Sequence, residues 1–247
     1  MRTKGIGLGL SLALAIGAAG CAGLDTGSLT EAAGGAYQAY ALSDDQVKEL
    51  ASQARAEMDG QNTVAGASDP YSQRLRKLVG AHPEVNGTPL DFQVYLTDDV
   101  NAFAMADGTV RVYRGLMDLM SDDELRFVIG HEIGHVALGH SRESMQVAYG
   151  TFALRKGVSA AGGTVGMLAQ SQVGDFAEKL VHARFSQSDE LEADGWSLGF
   201  LKEHGYPQEP AVTALRKLGG GGGSFLSSHP DSETRAEKIE ARLAGGS

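Results

Sequence analysis

Apolar residues recur every three or four positions between residues 121 and 140, which is the spacing of one helix face. The residues of this stripe are Leu125, Val128, Ile129, Ile133, Val136 and Ala137. Ser121 and Glu124 have the S-x-x-E spacing of a capping box, so the pattern predicts a helix that begins after Ser121. Three glycines interrupt the stretch, and each weakens a helix by about 1 kcal/mol relative to alanine. Their presence favours close approach of another backbone or of a ligand.

The rest of the pattern predicts further helices and a small sheet. Helices are expected at 43–58, 69–78, 176–183, 188–202, 208–218 and 231–243, and the main helix is expected to continue or restart after His140, through 146 to 155. Alternating residues predict a strand over 91–96, and two β-prone runs, 101–105 and 109–113, joined through Asp-Gly, predict a hairpin. The five glycines at 219–223 predict a flexible break. Residues 157–170, which are rich in Gly and Ala, predict either a mobile flap or a buried helix.

The first twenty residues differ from the rest of the chain. A positively charged start, an apolar core and small residues before Cys21 are typical of a secretory signal. The end of this run resembles a bacterial lipoprotein signal, in which Cys21 is lipidated, and a plain secreted protein is the alternative. We expect a signal peptide at 1–20, a tether at 21–41 and one α+β domain at 42–247, mostly helical with a small β-sheet beside the main helix.

The charge of the chain restricts its partners. The formal net charge is −10, and it becomes more negative once Arg2 and Lys4 leave with the signal peptide. So acidic a domain lacks the basic surface that nucleic-acid binding requires, and we exclude nucleic acid as a partner. A single cysteine permits no internal disulfide. Stability must therefore come from the core and from any bound metal.

His131, Glu132 and His135 have the spacing H-E-x-x-H inside the predicted helix. Residues four apart lie on nearly one helix face, so both imidazoles can bind one metal ion. Glu132 lies beside them, where a carboxylate can hold the attacking water and accept its proton. The alternative is a buried helix that carries two histidines by coincidence. Ordinary core, surface or helix-end positions are expected for His82, His140, His182 and His204.

Glu190 and Asp194 also lie four apart, in a stretch that predicts a helix. A catalytic zinc takes three protein ligands and leaves one position open, which makes Glu190 the candidate third ligand. Asp194 can then hold the far nitrogen of one motif histidine and fix its tautomer. Glu192 is rotated by about 200° from Glu190 around a helix and should point elsewhere. A solvated acidic helix face is the alternative.

Four blocks of the sequence resemble the M48 family of zinc metallopeptidases. They are HEIGHVALGH, the ELEAD block that follows it, NAFAMADGTVRVYRGLM before it and SHPDSETR near the C-terminus. Their order and spacing agree with the family over 90–235. The resemblance implies a zincin-like (gluzincin) fold with one Zn2+ per chain. It implies His131, His135 and Glu190 as zinc ligands and Glu132 as the catalytic carboxylate.

The same resemblance implies roles for further side chains. It places Asp194 behind a ligand histidine, and it places Asn101 and His229 where the substrate or the developing oxyanion lies. It implies that Arg235 faces the cleft. A hydrogen bond from His229 to the oxyanion would be of a kind worth about 3 kcal/mol, and a loop histidine without that partner is the alternative.

The signal sequence and the candidate zinc site together give a functional hypothesis. The chain is expected to be a zinc endopeptidase, anchored through lipidated Cys21 to the outer membrane and facing the periplasm. Its expected substrates are unfolded or misassembled envelope proteins, and envelope proteases or chaperones are expected partners. Two alternatives stay open, a chaperone-like assembly factor whose zinc mainly holds structure and a zinc hydrolase that is not a protease. A strand beside the main helix would offer an edge on which an extended peptide can pair.

Overall fold

The computed structural model describes residues 42–80, 82–156, 168, 170–221 and 223–245. The expected signal peptide, Cys21, the tether up to residue 41 and almost all of the expected flap at 157–170 lie outside these residues. The helices are α1 (Asp44–Gln61), α2 (Pro70–Val79), α3 (Arg114–Leu119), α4 (Asp122–Ala137), α5 (His140–Lys156), α6 (Gln170–Val181), α7 (Gln187–Glu203), α8 (Pro210–Gly221), α9 (Phe225–Ser228) and α10 (Ser232–Ala244). The strands are β1 (Glu84–Val85), β2 (Thr88–Pro89), β3 (Asp91–Tyr95), β4 (Ala102–Ala104) and β5 (Thr109–Tyr113).

Three strands form the central sheet in the order β3-β5-β4. β3 runs parallel to β5, whereas β4 runs antiparallel to it with Phe103 opposite Arg111. The predicted strand and hairpin are therefore confirmed. Among the described strands β4 lies at an edge of this sheet, and it lies against α4.

Buried side chains form two clusters on opposite faces of the sheet. The first cluster joins α2, α4, α7, α8 and α10, and the second joins α1, α5 and α6. Because successive residues of a strand point to opposite faces, Val110 and Val112 enter the first cluster while Arg111 points to the second. There the buried guanidinium is neutralised by Asp59 and Asp91. The mostly helical α+β fold is confirmed.

Helix α4 begins where the sequence predicts. The Ser121 hydroxyl accepts a hydrogen bond from the N–H of Glu124, and the Glu124 carboxylate accepts one from the N–H of Ser121. Helix α7 packs closely along α4: a Cβ atom added at Gly130 would lie 2.6 Å from a serine hydroxyl of α7. One added at Gly134 would lie 3.2 Å from the carbonyl oxygen of Ala193. The expected close approach of another backbone is confirmed at Gly134, whereas Gly130 meets side chains of α7.

Two predicted boundaries differ from the structure. The prediction of a flexible break at 219–223 is wrong for its first three residues, because α8 continues to Gly221. Its buried face, which includes Leu215 and Leu218, packs into the first cluster. This packing keeps the glycines that follow Leu218 in a helical conformation. Helix α6 begins six residues before the predicted start, at Gln170, whereas the restart of the helix at His140, as α5, agrees with the prediction. Within the described residues, no helix has the length and apolar character needed to cross a membrane.

Candidate metal centre

Helix α4 turns His131, Glu132 and His135 into the interior, where each is 1% exposed or less. The two histidines lie one turn apart, and their Nε2 atoms are 3.0 Å from each other. Buried histidines need polar partners, and here each ring directs Nε2 toward the other. The structure therefore brings both imidazoles of the motif to one point.

Helix α7 brings a carboxylate to the same point. Ser186 and Asp189 form a capping box that starts α7, which places Glu190 in its first turn. The oxygens of Glu190 lie 3.4 Å from His135 Nε2 and 3.6 Å from His131 Nε2. Glu190 is fully buried, unlike the exposed carboxylate two residues further along the helix. The carboxylate that the sequence selected thus faces the motif histidines.

His229 supplies a fourth donor atom. It follows the short helix α9, and its Nδ1 lies 3.0 Å from Glu190 Oε1 and 3.3 Å from His131 Nε2. Ligand atoms of His131, His135, Glu190 and His229 all lie within 4.8 Å of one another. The sequence predicts His229 as a donor to the oxyanion. The structure places its Nδ1 among the metal donors and turns its Nε2 toward Glu132 Oε1, 3.5 Å away.

A buried ion-pair network lies behind the donors. Asp194 Oδ1 lies 3.0 Å from His131 Nδ1, and a carboxylate at this position orients the ring with Nε2 toward the donors. Arg235 donates to both oxygens of Asp194, at 2.8 and 2.6 Å, and to Glu190. These carboxylates hold the guanidinium of Arg235 in the interior, where the residue is 1% exposed, and its predicted contact with the substrate cleft stays a prediction.

The network sets the protonation of the donors. Burial alone would raise the pKa of Glu190, but the positive potential of His229 and His131 holds it below its ordinary value. Burial would likewise raise the pKa of Asp194, and the hydrogen bond from Arg235 lowers it instead. Burial lowers the pKa of His135 well below its ordinary value. Ionised carboxylate and neutral imidazole are the forms that bind a metal.

Glu132 has an oxygen without a hydrogen-bond donor. Its Oε1 is buried and finds no such partner among the described residues. Burial raises the pKa of Glu132, as a general base requires. A cavity of about 30 Å³ lies beside Glu132 and His229, which is room for one water molecule. With two imidazoles and a carboxylate converging next to this free oxygen, the site fits a divalent metal and the water that Glu132 would hold.

Asn101 is not among the residues that line the cavity beside Glu132, and its predicted substrate contact stays a prediction. Asn101 is buried at the start of β4, and its Oδ1 accepts a hydrogen bond from the N–H of Ala102. Other described residues line the cavity beside Glu132. The side chain of Asn101 is therefore used to hold the first backbone N–H of the edge strand.

Two phenylalanines that sequence reasoning missed form walls of the site. Phe185 stacks on His135 with ring centroids 3.8 Å apart, and Phe225 stacks on His229 at 4.2 Å. The backbone N–H of Phe185 donates to the carbonyl of Ser228, which joins the two walls. Neither phenylalanine stands in a recognisable spacing. The capping box at the start of α7, in contrast, is visible in the sequence as S-x-x-D.

Comparison with known proteins extends the resemblance beyond single motifs. The family model described as Peptidase family M48 matches residues 67–243. The chain is 46% identical over 230 residues to Metalloprotease LoiP of Escherichia coli (strain K12), with 91% of each protein covered. It is 44% identical over 239 residues to Metalloprotease YcaL of the same strain, covering 95% of this chain and 94% of the relative. The Beta-barrel assembly-enhancing protease of that strain is 29% identical over 156 residues, which are 60% of this chain and 32% of the relative.

Proposed function

The chain belongs to peptidase family M48 and is a metalloendopeptidase. We propose that it uses zinc to hydrolyse unfolded or misassembled proteins of the bacterial envelope. One observation carries the proposal, the convergence of His131, His135 and Glu190 on one point with Glu132 beside it. Two imidazoles and a carboxylate are the donor set that H-E-x-x-H proteases offer to zinc. When bound, zinc polarises the scissile carbonyl and lowers the pKa of the attacking water to about 7.

Glu132 carries the proton in this proposal. Its free Oε1 and its raised pKa suit it to accept a proton from the attacking water and to pass that proton to the leaving amine. His229 has Nδ1 toward the donors, and when Nδ1 binds the metal, the proton of its neutral ring lies on Nε2, on the side of Glu132. From there Nε2–H can donate to the developing oxyanion.

An extended substrate suits this site better than a folded one, because the donor atoms are buried. Phe103 of β4 pairs with β5, so its neighbours Ala102 and Ala104 turn their backbone groups away from β5. A substrate segment can add to that edge as a further strand. The Ser141 hydroxyl donates to the carbonyl of Ala104, and a substrate N–H would replace it. Unfolded chains supply such segments, whereas folded domains do not.

The site is tested by Glu132→Gln, which keeps the size of the side chain and removes the base. We expect bound zinc to stay at the wild-type level and cleavage of casein to fall by about a hundredfold or more. Glu143→Gln, an exposed change at the start of α5, is the control and should alter neither. Unchanged casein cleavage in Glu132→Gln contradicts the mechanism. If the wild-type protein cleaves small esters but not casein, the alternative of a zinc hydrolase that is not a protease is supported. If the cellular role survives in Glu132→Gln, the alternative of a chaperone-like assembly factor is supported.

The location in the cell envelope is a separate part of the proposal and rests on the sequence around Cys21. A lipid on Cys21 would hold the enzyme at the outer membrane, on the periplasmic side, near envelope proteases and chaperones. Growth in labelled palmitate should tag the wild-type protein and leave Cys21→Ser untagged. An untagged wild type would remove the anchor from the proposal without affecting the metal site.

A further inference from the structure

His140 lies against one of the motif histidines although the sequence spacing does not suggest it. Five residues of uninterrupted helix would rotate His140 by about 140° away from His135. Gly139 adopts a φ of +85°, which ends α4 and turns the chain so that α5 begins at His140. As a result His140 is 8% exposed, and its Nδ1 lies 3.1 Å from Nδ1 of His135.

The direction of this hydrogen bond follows from the donor cluster. His135 turns Nε2 toward Glu190 and His131, so when a metal binds at this point through Nε2, the proton of the neutral ring lies on Nδ1. That N–H donates to Nδ1 of His140, which leaves the proton of His140 on Nε2. The Nε2 atom of His140 lies 3.6 Å from Glu192 and 3.8 Å from Asp189, both on α7.

The two motif histidines therefore have partners of different kinds. His131 is held by the carboxylate of Asp194, which Arg235 neutralises. His135 is held by the imidazole of His140, whose far side meets partly exposed carboxylates of α7. A metal-binding histidine whose second nitrogen loses its partner is free to rotate, and affinity for the metal typically falls 10- to 100-fold.

We propose that His140 is a positioning residue for the metal site: it accepts the Nδ1–H of His135, fixes that ring with Nε2 toward the donors, and links α4 to α7. The proposal rests on the proposed function only in taking the bound group to be a divalent metal. It differs from a packing role because it requires an acceptor at the position of Nδ1. Asn places its Oδ1 near that position, Gln places its amide near the position of Nε2, and Leu offers no acceptor.

The test compares zinc affinity in the full chain, by competition with a chromophoric chelator, for His140→Asn, His140→Gln and His140→Leu. We expect a loss of about 10- to 100-fold for Leu and Gln and of about threefold or less for Asn. The visible spectrum of bound Co2+ should change for Leu and Gln and stay close to wild type for Asn. His204→Leu is the control, since His204 is exposed and bonds a carbonyl of its own helix, and its affinity should be unchanged.

Equal affinity in wild type and His140→Leu overturns the proposal, as does an equal loss in Asn and Gln. Thermal unfolding of the metal-free forms checks that the variants fold, and if His140→Leu does not fold, the comparison of Asn with Gln decides. The readout is metal binding and needs no substrate. If the predicted order of affinities appears in a protein that cleaves no casein, the role of His140 stands and the proposed protease function falls.

Discussion

Arg235 is enclosed by the carboxylates of Asp194 and Glu190, so its charge is neutralised inside the protein. A buried ion pair is weak evidence of stability, but removing one partner leaves the other charges uncompensated and costs about 3–5 kcal/mol. We expect Arg235→Met to lower the free energy of unfolding by that amount, measured by urea denaturation of metal-free protein. Removing this guanidinium should also raise the pKa of Asp194, because the hydrogen bond from Arg235 lowers that pKa.

A surface arginine provides the comparison. Arg216 bridges Glu233 and Glu240, all partly exposed to solvent. Solvent screens exposed pairs, so Arg216→Met should lower the free energy of unfolding far less than Arg235→Met does. Similar losses for the two arginine variants would mean that the buried network behind the donors does not stabilise the fold.

These residues also mark how far the sequence predicts the site. His131, Glu132 and His135 follow from helix periodicity, and Glu190 follows from the four-residue spacing to Asp194 together with the chemistry of a third ligand. Arg235 could not be placed in the same way. Its position depends on how α10 packs against the rest of the first cluster, and no local pattern records that packing.

Among the elements, the contact between α4 and α7 holds three of the four donors in register. A Cβ atom at Gly134 would meet the backbone of Ala193 at 3.2 and 3.3 Å, which neither helix can relieve by rotating a side chain. We expect Gly134→Ala to separate the helices, lower the free energy of unfolding by about 1–3 kcal/mol and weaken zinc binding. Urea denaturation and metal competition measure the two effects.

Gly199, in α7, is the matched control for this substitution. It is helical, and a Cβ atom there would have no neighbour within 4 Å. Alanine favours a helix over glycine, so Gly199→Ala should raise the free energy of unfolding by up to about 1 kcal/mol. A stabilising effect of both substitutions would show that the helices can separate without cost.

The N-terminus of α4 gives a prediction about pH. Burial alone would raise the pKa of Glu124, but hydrogen bonds from Lys217 and from the N–H of Ser121 lower it to about 2, against an ordinary value of 4.5. A lowered pKa means that the ionised carboxylate stabilises the folded state above pH 4.5, and this contribution is lost as the pH falls toward 2. We expect Glu124→Gln to cost about 1–2 kcal/mol at pH 7.

The difference between wild type and Glu124→Gln should shrink steadily between pH 4.5 and pH 2 in urea denaturation. Asp45→Asn, in the first turn of α1, is the comparison, because Asp45 is an exposed acidic residue two positions after its N-cap, where Glu124 is three positions after its own. It should cost only a few tenths of a kcal/mol at pH 7. A constant deficit for Glu124→Gln across this range would show that its charge is not what stabilises α4.

Elements with a side-chain cap are the ones that the sequence predicts well. Ser43, Asp69 and Ser121 each precede a helix that begins where expected, because the cap is local chemistry. The glycines after Leu218 have no local tendency to be helical, and only packing of α8 on α10 explains their conformation. The turn at Gly139 between α4 and α5 could not be predicted either, because its positive φ has no sequence signature beyond the glycine itself.

For the whole molecule, the metal centre lies where the two core clusters meet. Helices α4 and α7 carry three donors from the first cluster. The cavity beside Glu132 is lined by Phe103, Met105 and Met145 of the second cluster. The fourth donor lies in the segment between α9 and α10. A metal held here therefore joins segments far apart in sequence and should stabilise the folded chain as a unit.

A metal that binds only the folded state stabilises that state by about 4 kcal/mol when the free metal concentration is 1,000 times the dissociation constant. For a chain of this size that corresponds to a fall in Tm of about 10 °C when a chelator removes the metal. Glu192→Ala should show the same fall, because Glu192 is 58% exposed and points away from the donors. Glu190→Ala should start from the lower Tm and respond little to chelator. Equal responses of these two variants would mean that the third ligand is not Glu190, because two carboxylates on different faces of α7 cannot serve one ion.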